Sequence, residues 1–238
     1  MAVTLAAIFA WLAWQQRSGR AESLDLALLV LGAGVLGARV GHLLVNWEYY
    51  AERWPSILDL RDGGLSWHGG LVAGLLAVAL AAVWQHNDAV PYGARLRPKL
   101  ATLVVPLGIG LLGGWLACLL AGCAYGLPIA PPQRFYTPDW PDSYGVMDFR
   151  LPSQLLGILL ALCVLFLAKP LMRRPGLLLI LLGLGGFLIG WTRGDLPVSW
   201  GPLRATQWID LLLVLAGLLL EAGSRQGTNQ DGAAKLIE

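Results

Sequence analysis

Charge is scarce in this sequence. Asp, Glu, Lys and Arg make up 13% of its 238 residues, where a typical soluble domain carries about 25%. That shortage argues against an ordinary solvated surface, and the 56% share of hydrophobic residues points to a membrane interior instead. The formal net charge of +2 is too small to suggest nucleic acid as a partner. Three cysteines do not make a disulfide framework. No basic residue precedes the first apolar run, whereas Arg17 and Arg20 follow it, the reverse of a signal peptide's charge order. There is no internal repeat. No pair of interrupted helices occupies corresponding halves, which argues against a transporter.

What the sequence has is apolar runs long enough to cross about 30 Å of hydrocarbon. Seven are expected, at roughly 2–14, 24–45, 66–84, 101–121, 152–168, 175–191 and 207–222. The predicted fold is all-α, a polytopic membrane protein with one helical domain over 1–222. The tail over 223–238 is expected to be disordered. The eleven Trp residues suit membrane interfaces. One set of loops carries Arg17, Arg20, Arg95, Arg97, Lys99, Lys169, Arg173, Arg174, Arg225 and Lys235. The other carries Arg53, Arg61, Arg134, Arg150, Arg193 and Arg204, diluted by eight carboxylates. The positive-inside rule makes the first side cytoplasmic, with the N terminus outside and the C terminus inside. The outer loops 46–65 and 122–151 are long and aromatic, as loops that carry function tend to be.

Several polar residues sit where lipid should exclude them. In the segment Asp62-Gly63-Gly64-Leu65-Ser66-Trp67-His68-Gly69-Gly70-Leu71, four glycines bracket one histidine at the mouth of an apolar run. Arg39 lies about 9 Å inside the outer end of the second run, at 1.5 Å per residue. It shares a face with His42. A charge at that depth costs a few kcal/mol unless it is paired, faces water or snorkels to the interface. Arg193 stands at the outer end of the sixth run, with Asp195 as a possible local ion-pair partner. Two guanidinium groups suit a phosphate, and an imidazole can take a proton. Arg39, His68 and Arg193 are therefore expected to line one cavity in the outer leaflet, roofed by Trp47, Trp54 and Trp140. Cys118 and Cys123, without a nearby His, do not form a metal-ligand pattern. They are expected to be inert, dispensable buried thiols, as is the lone Cys163.

Together these stretches resemble the bacterial prolipoprotein diacylglyceryl transferases. The matching segments run in order: Gly37-Ala38-Arg39-Val40-Gly41-His42, Tyr49-Tyr50, Gly63 to Leu71, Gly122-Cys123-Ala124-Tyr125-Gly126, Pro152-Ser153-Gln154-Leu155 and Phe187 to Asp195. The resemblance implies seven membrane helices and a site facing the outer leaflet of the bacterial inner membrane. It implies transfer of diacylglyceryl from a phospholipid, phosphatidylglycerol, to the lipobox cysteine of a preprolipoprotein, without metal or organic cofactor. His68 would activate the thiol and Arg193 would stabilise the leaving glycerol phosphate. Arg39, His42, Gly69, Gly70, Tyr125, Gln154 and Asp195 would line the substrate site. A non-catalytic lipid-binding or assembly protein on the same scaffold is the alternative. The fourth run departs from the family pattern Gly-Arg-x-Gly-Asn-Phe-x-Asn-Gly-Glu: Trp115 replaces the Arg, Cys118 and Ala121 the two Asn, and Cys123 the Glu. Gly157 stands where a Glu is expected after Pro-Ser-Gln. A headgroup site without that Arg binds less charge.

Overall fold

The computed structural model describes residues 4, 7–8, 10–11, 22–59, 64–84, 90–130, 139–195 and 198–234. Two compact units emerge, Leu12–Leu100 and Met1–Trp11 with Ala101–Glu238. Among the described residues, five helices are long and apolar enough to cross a membrane. They are α1 (Glu22–Val45), α3 (Trp67–Trp84), α4 (Tyr92–Ala121), α7 (Pro175–Thr192) and α8 (Ala205–Ala234). A shorter apolar helix, α5 (Ser153–Phe166), leads into α6 (Ala168–Arg173). The fold is thus an all-α polytopic membrane protein. Most of the expected first run lies outside the described residues; Thr4, Ala7, Ile8, Ala10 and Trp11 within it are helical.

Local chemistry sets the departures from the expected runs. The stretch 152–168 does not form one long helix. Pro170 would drive its ring into the carbonyl of residue i−4 in a continuous helix. That residue is Phe166, and α5 ends there. Pro175 then opens α7 at a position where its missing N–H costs nothing. The last helix runs from Ala205 to Ala234. Two small antiparallel hairpins, absent from the all-α expectation, interrupt the loops. One joins β1 (Asp139–Pro141) to β2 (Met147–Phe149); the other joins β3 (Ser199–Trp200) to β4 (Leu203–Arg204).

In the Leu12–Leu100 unit, α1 packs along α3. Small residues make the seam: a Cβ on Gly41 would come 2.9 Å from the Gly69 Cα, and one on Gly37 would come 2.7 Å from the Gly69 carbonyl oxygen. Close backbone approach supplies the van der Waals contact that holds membrane helices together. Between them, α2 (Trp47–Ala51) and a 3₁₀ turn (Trp54–Ile57) lie in the connecting loop. Trp47 and Trp54 are exposed there, edge to face at 6.4 Å. The Trp140 side chain lies outside what is described.

In the other unit, Val104, Leu111, Ala161, Val164, Leu178 and Leu182 form the core between α4, α5 and α7. Helices α7 and α8 pack closely. Gln207, almost fully buried near the start of α8, donates from Nε2 to the Phe187 carbonyl at 3.1 Å, which ties the start of α8 to the end of α7.

Candidate active site

Arg39, His42, His68, Gly69 and Gly70 fall in the first unit; Tyr125, Gln154, Arg193 and Asp195 fall in the second. His68 stands in the first turn of α3, half-buried. Ser66 just before it fixes that turn. Its N–H donates to the Ala38 carbonyl of α1 at 2.8 Å, and its Oγ accepts from the Gly69 N–H at 3.3 Å. The latter is an N-cap bond, satisfying one of the orphan donors of a helix start. Gly69 and Gly70 serve the seam: Cβ atoms there would meet the main chain of Gly37, Gly41 and Gly34.

Arg39 is buried, and its guanidinium reaches main-chain carbonyls. Nε donates to Ile57 at 2.8 Å, Nη1 to Gly64 at 3.1 Å, and Nη2 to Ser56 at 2.6 Å and Asp59 at 2.8 Å. Its Cζ also lies 5.3 Å from the centre of the buried Tyr50 ring. Arg39 therefore clamps the α1–α3 loop onto α1. His42 lies against the same loop, edge to face with Tyr50 at 5.8 Å. Asn46 donates to the His42 carbonyl at 2.9 Å.

In the second unit the chain after α7 folds into an arm. Arg193 pairs with Asp195 through both Nε and Nη2. Arg204 reaches the same carboxylate at 3.2 Å and also donates to the Arg193 carbonyl. Gln207 accepts from the Arg204 N–H at 3.0 Å. Two guanidinium groups thus share one carboxylate, leaving one positive charge in excess. Burial opposes ionisation of Asp195, but hydrogen bonds and charge from Arg193 and Arg204 outweigh it, so its pKa is lowered. A cleft of about 230 Å³ opens beside the pair, lined by Trp191, Arg193, Ser199, Pro202, Arg204 and Gln207. Drug-sized ligand pockets run about 300–1,000 Å³, so this cleft suits a headgroup better than a whole lipid.

Tyr125 and Gln154 support the arm. The Tyr125 carbonyl accepts from the Gly194 N–H at 2.8 Å, and the Tyr125 ring lies 4.8 Å from the Arg150 guanidinium. Gln154 donates to the Cys123 carbonyl at 3.1 Å. Its neighbour Ser153, fully buried, bonds both oxygens of Thr192 at 2.8–2.9 Å. The Pro-Ser-Gln segment thus holds the two chain ends that meet at Arg193.

The expectation of inert thiols is overturned: Cys118 and Cys123 form a disulfide. The helix ends at Ala121, and Gly122, at φ 69°, turns the chain back, which brings two positions five apart to bonding distance. Cys163 remains a free thiol. Among the described residues no three of His, Cys, Asp and Glu gather as metal ligands do.

The family model of the prolipoprotein diacylglyceryl transferases matches residues 1–222. The chain belongs to that family. It is 32% identical over 226 residues to a phosphatidylglycerol–prolipoprotein diacylglyceryl transferase of Methylobacillus flagellatus, covering 87% of this chain and 80% of the relative. Similarity to the proteins of that name from Streptococcus mutans (27% identical, 84% of this chain, 77% of the relative) and Thermosynechococcus vestitus (26%, 87% and 78%) is as extensive. Four of the five positions that depart from the expected family pattern pair off in the structure. Cys118 and Cys123 bond to each other. The Trp115 indole fills the space beside Gly157, where a Cβ would collide with its ring.

Sequence reasoning left Arg204, Gln207, Asp142 and Arg150 out of the site. Arg150 and Asp142 form a buried ion pair at 2.9 Å behind Tyr125. Arg204 entered only as a loop charge. The available signal was Gln207, a polar residue opening the seventh apolar run three positions after an arginine.

Proposed function

We propose that this chain transfers the diacylglyceryl group of phosphatidylglycerol to the lipobox cysteine of a preprolipoprotein, at the outer face of a bacterial inner membrane. The family match over residues 1–222 carries the reading, and the relatives' names supply the two substrates. The thiol sulfur would form a bond to the diacylglyceryl carbon as that carbon's bond to the phosphate oxygen breaks. His68 would accept the thiol proton. The departing glycerol phosphate gains a negative charge, because a diester with one ionisable group becomes a monoester with two. A cation aimed at it is worth more as the bond breaks than before, which is the requirement for catalysis by electrostatic stabilisation. The cleft at Arg193 and Arg204 has the charge and size for that phosphate. Arg39, engaged with loop carbonyls, would act as a positioning residue, and Asp195 would orient both guanidinium groups.

The test is thioether formation on a lipobox peptide in phosphatidylglycerol vesicles. His68→Ala and Arg193→Ala should each reduce it by at least about 100-fold, the low end of a lost general base or charge stabiliser, while the helical circular dichroism stays unchanged. Full activity in a folded His68→Ala protein would remove the base from this mechanism.

A further inference from the structure

We propose that the Cys118–Cys123 disulfide is a redox-governed positioning device for the Arg193–Arg204 phosphate seat. It rests on the transferase reading only for the meaning of that seat. The bond closes the turn that follows α4, and this turn is the other wall of the arm. The Tyr125 carbonyl accepts from Gly194, Leu127 donates to the Thr192 carbonyl at 2.8 Å, and Gly126 pairs with Arg193 as an isolated antiparallel bridge. Gln154 holds the Cys123 carbonyl. Each residue that carries or flanks Arg193 thus leans on a strand beginning two residues after Cys123.

The turn does not rest in a relaxed conformation. Ala124 has φ 51°, in the left-handed region that residues with a Cβ rarely adopt. Such a geometry persists where anchors impose it. Cys123 is held at its carbonyl by Gln154, at its N–H by the Cys118 carbonyl, and at its sulfur by the disulfide. Reduction removes the covalent anchor and leaves Ala124 free to relax, and the strand through Tyr125 and Gly126 moves with it. Arg204 holds both the Arg193 carbonyl and Asp195, so the whole seat follows. Electrostatic holding of a phosphate by the excess charge of this pair depends on such fixed geometry.

Reduction consumes two electrons and two protons from a dithiol, which becomes a disulfide, and leaves two thiols on the chain. Both sulfur-bearing residues are half-buried rather than sealed. On the orientation expected from loop charges, this end of α4 faces the oxidising side of the membrane, where disulfides persist.

The experiment uses the full chain in phosphatidylglycerol nanodiscs, prepared without reductant. Maleimide under denaturing conditions should add one label before reduction, on Cys163, and three after. Three labels before reduction would show that the bond does not form, and would overturn the proposal. Reduction should speed amide exchange in 123–128 and 191–195 while the α1–α3 seam keeps its protection. It should also raise KM for phosphatidylglycerol about tenfold and leave KM for the peptide unchanged, and reoxidation should restore both readouts. Cys118→Ala/Cys123→Ala should match the reduced protein and ignore reductant. Unchanged exchange at 191–195 on reduction would overturn the proposal even if transfer is active. An oxidised protein that transfers nothing but still gains exchange at 191–195 would count against the transferase reading alone.

Discussion

Replacing Arg39 with Met removes the clamp on the α1–α3 loop and keeps most of the side chain's apolar stem. Four main-chain carbonyls, of Ser56, Ile57, Asp59 and Gly64, lose a charged donor. Hydrogen bonds to charged groups contribute about 1.5–3 kcal/mol each, but they do not simply add. Asp59 is exposed, whereas Ser56, Ile57 and Gly64 are half-buried, so water can replace part of the loss. Two carbonyls left poorly solvated at about 1–3 kcal/mol each give a local destabilisation of about 4 kcal/mol. That corresponds to nearly a thousandfold faster opening, at tenfold per 1.4 kcal/mol. The helices should survive, because the α1–α3 seam is made by glycine backbones and not by Arg39. Hydrogen exchange by mass spectrometry reads this directly. Peptides covering 53–59 should lose protection by two to three decades (about 10²–10³), and peptides within 70–84 should not change. Unaltered protection at 53–59 would refute the clamp and return Arg39 to the substrate.

Gly41→Val should separate α1 from α3, since its Cβ already meets Gly69 at 2.9 Å; overpacking costs about 1–3 kcal/mol, to be read as a lower midpoint of unfolding in detergent. Asp142→Ala should cost about 3–5 kcal/mol, the penalty for leaving a buried Arg150 without its partner, and a double change that also replaces Arg150 with Met should recover part of it. The Asp195 linkage has a definite sign. Its pKa is lowered on folding from an ordinary 3.8, so its stabilisation is complete above that value and is lost as pH falls through the lower folded value. Acid unfolding of the arm should therefore steepen below pH 3.8, and Asp195→Asn should flatten it. Reporters fused in loop 122–151 and after Glu221 should read external and cytoplasmic; a cytoplasmic reading for that loop would reverse the orientation.

The helical frame was legible because spanning a bilayer demands long apolar runs, and that demand is written residue by residue. The Arg193–Asp195 pair was legible too, because two residues of separation bring opposite charges within reach. The loop carbonyls that accept from Arg39 were not legible: a main-chain acceptor leaves no trace in composition. The disulfide was missed because its two cysteines are too far apart on a continuous helix, and the turn at Gly122 that joins them depends on φ. The Trp115–Gly157 contact lay between two segments whose oddities looked independent. Gln207 and Ser153 bond to carbonyls across helices, and such bonds become visible only when the chain is folded.

The transferase reading is tested most directly by mass balance in proteoliposomes holding the wild-type protein, phosphatidylglycerol and a lipobox peptide. The expected result is a peptide heavier by one diacylglyceryl group, with one glycerol phosphate released for each peptide modified. Phosphatidylglycerol that stays bound while the peptide remains unmodified would contradict it and leave a lipid-binding scaffold in its place.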